Sequence, residues 1–123
     1  MVEKIEKRIE ETDKEKFPSQ VLKDYYTATK QLMEALAASE GVKSSGEGAH
    51  KKLINWVAEE YNLKESERQF LQQMRKYRNR ITYEGFNIEY GYLERNQDRI
   101  ENVMEELERE LEDLYGSVNV GTG

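Results

Sequence analysis

Hydrophobic residues recur along most of the chain every three or four positions, which is the spacing of amphipathic helices. Five such stretches can be distinguished, and no segment alternates with the period of two that a half-buried strand shows. The connections between the stretches are short, and short connections favour antiparallel neighbours. We therefore predict an all-α protein, folded as an antiparallel up-and-down bundle of four to five helices.

The first two stretches differ in the strength of their apolar face. The segment at about 2–16 carries only Val2, Ile5 and Ile9 on one side, so we predict a mobile N-terminal helix within residues 1–18. Proline is tolerated in the first turn of a helix, so Pro18 predicts the start of the second one. The core face predicted for that second helix consists of Leu22, Tyr25, Thr29, Leu32 and Leu36.

A loop rich in glycine and serine, "SEGVKSSGEGA" at 39–49, precedes a predicted third helix at about 50–61. The fourth helix has two candidate capping boxes at its start, Asn62 with Glu65 and Ser66 with Gln69. It ends near Gly85, because glycine readily adopts the left-handed conformation that closes a helix. The core faces predicted for these two helices are Leu53 or Ile54, Trp56, Val57 and Tyr61, and then Phe70, Met74, Tyr77 and Ile81.

The fifth stretch is acidic and amphipathic, and "GSVNVGTG" follows it at the end of the chain. We predict one domain over residues 1–115 and a disordered tail at 116–123. The apolar positions predicted for the fifth helix are Leu93, Ile100, Val103, Leu107, Leu111 and Leu114.

Composition narrows the function. The chain has no cysteine, which excludes disulfides, a thiolate nucleophile and zinc sites built from sulfur. Its start, "MVEKIEKRIEE", contains no apolar segment typical of a signal peptide or membrane anchor, so we expect a cytoplasmic protein without membrane contact. No motif indicates a cofactor or a metal ion.

Charge is unevenly distributed. The net charge of −6 argues against binding nucleic acid through the whole surface. The segment 101–113 has seven acidic residues and one arginine, whereas "RKYRNR" at 75–80 has four basic residues and no acid. If RNA binds, the sequence predicts that Arg75, Lys76 and Arg80 contribute to its site.

The stretch "YRNRITYEG", 77–85, combines guanidinium groups, an amide and a phenol at a predicted helix end. Arg78 and Tyr83 are five positions apart, about 140° around a regular helix, so they share a face only if the helix ends before Tyr83. Such a corner is suited to holding a phosphate. The alternative is a solvated basic face that forms surface ion pairs with the acidic fifth helix, and spacing alone favours this alternative.

His50 is the only histidine, so acid–base chemistry by histidine must use it or the copy in a second subunit. Glu47 and His50 have the spacing of one half of a di-iron site in a helical bundle. The chain supplies no second such pair, so we interpret this spacing as coincidence.

The order of elements is similar to that of HEPN domains, especially small stand-alone archaeal and bacterial ones. The resemblance covers about residues 20–114 and rests on a long second helix, a loop, a helix opening with "AHKKL", and "LQQMRKYRNRITYEG" before an acidic last helix. It implies a two-fold homodimer. It also implies an association with a minimal nucleotidyltransferase (MNT) that acts as antitoxin, because many HEPN domains are metal-independent endoribonuclease toxins encoded beside one.

The HEPN signature is an arginine followed, after four to six residues, by a histidine, with a polar residue after the arginine. Arg78 and Asn79 match the first two positions, and Tyr83 stands where the histidine is expected. In the family the arginine steadies a phosphate and the histidine helps to move protons. A tyrosine, with a reference pKa of about 10, is a poor base near neutral pH.

Three hypotheses remain, of which the first two depend on this resemblance. The first is a degenerate ribonuclease module that binds RNA, a nucleotide or the nucleotidyltransferase partner, with Tyr83 a conceivable site of adenylylation. The second is an active ribonuclease with Arg78, Asn79 and Tyr83 as catalytic residues. The third is a non-catalytic scaffold whose acidic last helix makes the contacts.

Overall fold

The computed structural model describes residues 2–43 and 45–122, and the side chains of 3–43 and 45–115. This part of the chain contains five helices and no strand, which confirms the predicted all-α helical bundle. The helices are α1 (Val2–Glu11), α2 (Pro18–Ser39), α3 (Ala49–Glu60), α4 (Glu65–Glu84) and α5 (Tyr90–Thr122).

The second helix, α2, is the centre of the fold and contacts each of the other four helices. All five predicted core positions of α2 are buried, and residues of every helix join them in one hydrophobic core. Pro18 occupies the first turn of α2, as predicted, because it has no backbone N–H that needs a partner there. The predicted stripes of α3 and α4 also face this core, with both Leu53 and Ile54 buried.

The first helix packs against α2, although we expected it to be mobile. It ends at Glu11, earlier than the predicted residue 16. Ile9 is buried in the core, and Arg8 forms an ion pair with the carboxylate of Asp24, which is only 2% exposed. Gln20 donates a further hydrogen bond to Asp24 (Nε2 to Oδ1, 3.1 Å). The apolar stripe of α1 is thin, and this buried ion pair supplements it.

The start of α4 corrects the predicted capping boxes. The helix begins at Glu65 after an N-cap at Lys64, and the backbone N–H of Lys64 donates to the carboxylate of Glu67 (3.1 Å). Neither predicted pair caps the helix. Asn62 adopts a left-handed conformation (φ 59°) in the turn before the cap, so its side chain is not at the N-cap position.

The last helix, α5, buries Leu93, Ile100, Val103 and Leu107 against the core. Its acidic side chains face α1 and α2 in part, where Glu101 accepts a hydrogen bond from the Tyr25 hydroxyl (2.9 Å). The side chains of the predicted tail, 116–123, lie outside the described residues. No described helix combines the length and the apolar character needed to cross a membrane.

Candidate nucleic-acid interface

The basic end of α4 is closed by Gly85, whose φ of 68° lies in the left-handed region where a side chain would be strained. The N–H of Phe86 donates to the carbonyl oxygen of Arg80 (3.2 Å) and reverses the chain. Tyr83, in the last turn, is 75% exposed. The chain reversal therefore leaves an aromatic ring in solvent beside the arginines of α4.

The structure brings the three predicted catalytic residues together. Arg78 donates from Nη1 to Oδ1 of Asn79 (3.2 Å), and its guanidinium carbon lies 5.9 Å from the centre of the Tyr83 ring. The sequence analysis expects this proximity only if the helix ends before Tyr83. In the structure α4 continues to Glu84. The arginine side chain is long enough to reach the Tyr83 ring although the two residues point to different sides of the helix. The distance is at the outer limit of a cation–π contact.

Two of the other predicted basic residues, Arg75 and Arg80, contact uncharged groups. Arg75 donates from Nε to Oε1 of Gln72 (2.8 Å), and the guanidinium carbon of Arg80 lies 3.9 Å from the centre of the Phe86 ring. Lys76 is exposed. Within the described part of the chain, none of the four basic side chains of segment 75–80 forms an ion pair. The ion pairs with α5 that the alternative includes do not form among the described residues.

A groove of about 550 Å³ runs between α3 and the outer face of α4. We call it the α3–α4 groove; its lining contains five basic residues and no acidic one. The lining residues are Lys51, Arg68, Gln69, Gln72, Gln73, Arg75, Lys76, Tyr77 and Arg80. The sequence analysis missed Lys51 and Arg68, which are contributed from outside segment 75–80.

Amide side chains organise the α3 side of the groove. Gln72, only 9% exposed, donates from Nε2 to the carbonyl oxygen of Lys51 (3.0 Å) and to Oδ1 of Asn55 (3.1 Å). Arg68 donates from Nη1 to the same Asn55 oxygen (2.9 Å) and is also paired with Glu65. These hydrogen bonds fix α3 against α4 and set the position of the basic side chains.

A second cluster, formed by Tyr26 of α2 and His50 of α3, lies near the arginines of α4. The rings of Tyr26 and His50 are 6.5 Å apart, and the buried hydroxyl of Tyr26 has no hydrogen-bond partner. Burial raises the pKa of Tyr26 to about 12, against the opposing charges of Arg75 and Arg78. The sequence analysis missed this pairing, because Tyr26 and His50 lie on different helices.

His50 is half-buried at the start of α3. Burial lowers the pKa of His50 below its usual value, and the charges of Lys30 and Arg78 lower it further. A histidine in this environment is neutral near pH 7, when it can accept a proton.

Glu47 is exposed in the loop before α3. No group of three or more metal-ligating acidic or histidine side chains exists among the described residues.

Comparison with known proteins adds no relative. A scan against protein-family models found no match, and searches of curated proteins and of solved structures found no significant match either. The resemblance to HEPN domains stays a prediction, and the functional conclusions depend on the geometry of α3 and α4.

Proposed function

We propose that this protein is a HEPN-like RNA-binding module whose site is the corner formed by Arg78, Asn79 and Tyr83. The observation that carries the proposal is the position of the Arg78 guanidinium between the Asn79 amide and the exposed Tyr83 ring. A guanidinium binds phosphate through charge-assisted hydrogen bonds, and an exposed aromatic ring stacks on an unpaired base. The corner therefore offers a guanidinium for the phosphate and an aromatic ring for the base of a single-stranded nucleotide.

Electrostatics support the same ligand. The arginines around the corner form no ion pair in the described chain, and their contacts are with amides and aromatic rings. Phosphate neutralisation by such cations supplies most of the affinity for nucleic acid. The protein as a whole has a net charge of −6, so binding is confined to this local surface.

The test is binding of a labelled single-stranded RNA, measured by fluorescence anisotropy at fixed salt concentration. Arg78→Ala should weaken binding about tenfold or more, since it removes a phosphate contact. Tyr83→Ala should weaken binding by a similar factor, whereas Tyr83→Phe retains the ring and should bind nearly as wild type.

The matched control is Arg109→Ala, which removes a positive charge from α5 at a distance from the corner. Unchanged binding by both Arg78→Ala and Tyr83→Ala would contradict the proposal and would leave the scaffold hypothesis. A nucleotidyltransferase that is captured by the wild type and lost by the same variants, without RNA binding, would identify a protein partner instead.

Metal-independent cleavage of RNA is a second candidate function, and one observation favours it. Arg78 acts electrostatically on His50, so a guanidinium and a histidine that is neutral near pH 7 occupy the same region. Incubation of labelled RNA with the protein in a chelator distinguishes the candidates. Cleavage that is lost in both Arg78→Ala and His50→Ala would establish a ribonuclease, and Tyr83→Phe would show whether the phenol takes part.

A homodimer remains part of the proposal, as the resemblance implies. Three large apolar side chains are more than half exposed in the described chain: Phe17, Tyr83 and Tyr115. They lie on separate segments, so they do not themselves define a dimer surface. Sedimentation analysis tests this point, and a strict monomer at micromolar concentration would remove the shared, two-fold site.

A further inference from the structure

The α3–α4 groove has a lining that carries five cations and no carboxylate. We propose that this groove binds the phosphodiester backbone of single-stranded RNA and leads it to the corner at Arg78 and Tyr83. The identity of the ligand as RNA rests on the proposed function, whereas the groove itself is a separate set of residues.

The first step concerns charge. The protein carries 25 acidic residues against 19 lysines and arginines, yet none of the acidic ones lines the groove. Among its five cations only Arg68 is in an ion pair, with Glu65. The positive potential of the groove is therefore little reduced by its own neighbours, and polyanions are attracted to it.

The second step concerns geometry. Arg68 and Arg80 are twelve residues apart on α4, which corresponds to roughly 18 Å along the helix axis at 1.5 Å per residue. Tyr83 is the next exposed aromatic residue along α4 after the groove. The cations thus form a track several nucleotides long, because single strands carry phosphates at intervals of a few ångströms, and the track ends at a ring that can stack on a base.

The third step decides between single-stranded and duplex nucleic acid. Bases in a duplex are already stacked and cannot reach the exposed Tyr83 ring, whereas an unpaired base can. The exposed ring therefore favours a single strand over a duplex.

The experiment measures anisotropy with labelled oligouridylates of 3, 6 and 12 nucleotides. The wild type should bind the 12-mer at least tenfold more tightly than the 3-mer, because only the longer strand occupies groove and corner together. The variant Lys51→Ala/Lys76→Ala removes two exposed lysines that make no side-chain hydrogen bond in the described structure. It should lose about tenfold affinity for the 12-mer and lower the salt slope by roughly 1.4.

Lys52→Ala is the matched control, because Lys52 is exposed beside Lys51 on α3 but does not line the groove. Wild-type affinity in Lys51→Ala/Lys76→Ala would overturn the inference, as would equal binding of the 3-mer and the 12-mer. If only Arg78→Ala and Tyr83→Ala lose affinity, RNA binds at the corner and not in the groove. Loss in the lysine variant alone would retain the groove and remove the corner.

Discussion

Tyr26 and His50 lie with their rings 6.5 Å apart, and the hydroxyl of Tyr26 is buried without a hydrogen-bond partner. Its neighbour Tyr25 has the opposite situation, because its hydroxyl donates to Glu101 (2.9 Å) and accepts from Gln97 (3.0 Å). The adjacent Tyr25 and Tyr26 thus allow a direct comparison of a phenol hydroxyl with hydrogen-bond partners and one without.

Tyr26→Phe should leave the free energy of unfolding unchanged or raise it by about 1 kcal/mol, because it removes a buried polar group that lacks a partner. Tyr25→Phe should lower it by about 1–2 kcal/mol, because a hydrogen bond to a carboxylate is lost. Urea denaturation followed by circular dichroism measures both. Equal losses in the two variants would show that the Tyr26 hydroxyl does have a partner in solution.

The pKa of His50 should lie below 6.5, because of burial and the charges of Lys30 and Arg78. A lowered pKa means that protonation opposes folding, so this residue costs stability as the pH falls below 6.5. A proton NMR titration reports on it alone, since the chain has one histidine. Arg78→Ala should raise the pKa, and Arg80→Ala, whose guanidinium rests on Phe86, should leave it unchanged. A wild-type midpoint above 6.5 would contradict the described environment.

Removal of Arg8 should destabilise the protein, because Asp24 is buried and would lose its cationic partner. We expect Arg8→Ala to lower the free energy of unfolding by about 2–3 kcal/mol, at or below the usual range for a broken buried pair. The loss is limited because Arg8 is largely exposed and Gln20 still donates to Asp24. The double variant Arg8→Ala/Asp24→Asn should be less destabilised than the single one. Thermal unfolding at constant pH measures both, and a loss below 0.5 kcal/mol, roughly that of an exposed pair, would show that α1 is not docked.

Stability should fall as the pH rises from about 4.5 to 7, because Glu106 of α5 faces Glu67 of α4. Their hydrogen bond and the charge of Glu67 raise the pKa of Glu106 to about 7, while the pKa of Glu67 is lowered. A group whose pKa is higher in the folded than in the unfolded state stabilises the fold at low pH. This stabilisation is lost once the pH exceeds the folded-state pKa. Since solvent screens the pair, we expect less than about 1 kcal/mol. Glu106→Gln should flatten the stability profile between about pH 4.5 and 7. An unchanged profile would exclude this pair as its cause.

The sequence predicts the parts of this molecule that depend on periodicity. The core face of α2 could be identified because Leu22, Leu32 and Leu36 recur at helical spacing and tertiary contacts bury the same face. The start of α4 could not be identified, because lysine is not a preferred N-cap residue. The cap depends instead on the hydrogen bond from the backbone N–H of Lys64 to the side chain of Glu67.

The site was predicted only where its residues are neighbours on one helix. Arg78, Asn79 and Tyr83 belong to one segment, so a short pattern reveals them, although helical angles alone misjudge the reach of an arginine. Lys51 and Arg68 lie on different helices, and their approach depends on how α3 rotates against α4. That rotation is set by packing and by the Gln72 and Asn55 amides, which carry no recognisable sequence signal.

The uncharged contacts of the α4 arginines have a consequence for binding kinetics. Gln72, Asn79 and Phe86 restrict the rotamers of Arg75, Arg78 and Arg80 before any ligand arrives. Ordering a long side chain at an interface costs about 0.5–1.5 kcal/mol, and here much of that entropy is lost already during folding. Complexes formed on a preorganised surface gain mainly in residence time, so weakening any of these three contacts should accelerate dissociation while association stays governed by net charge.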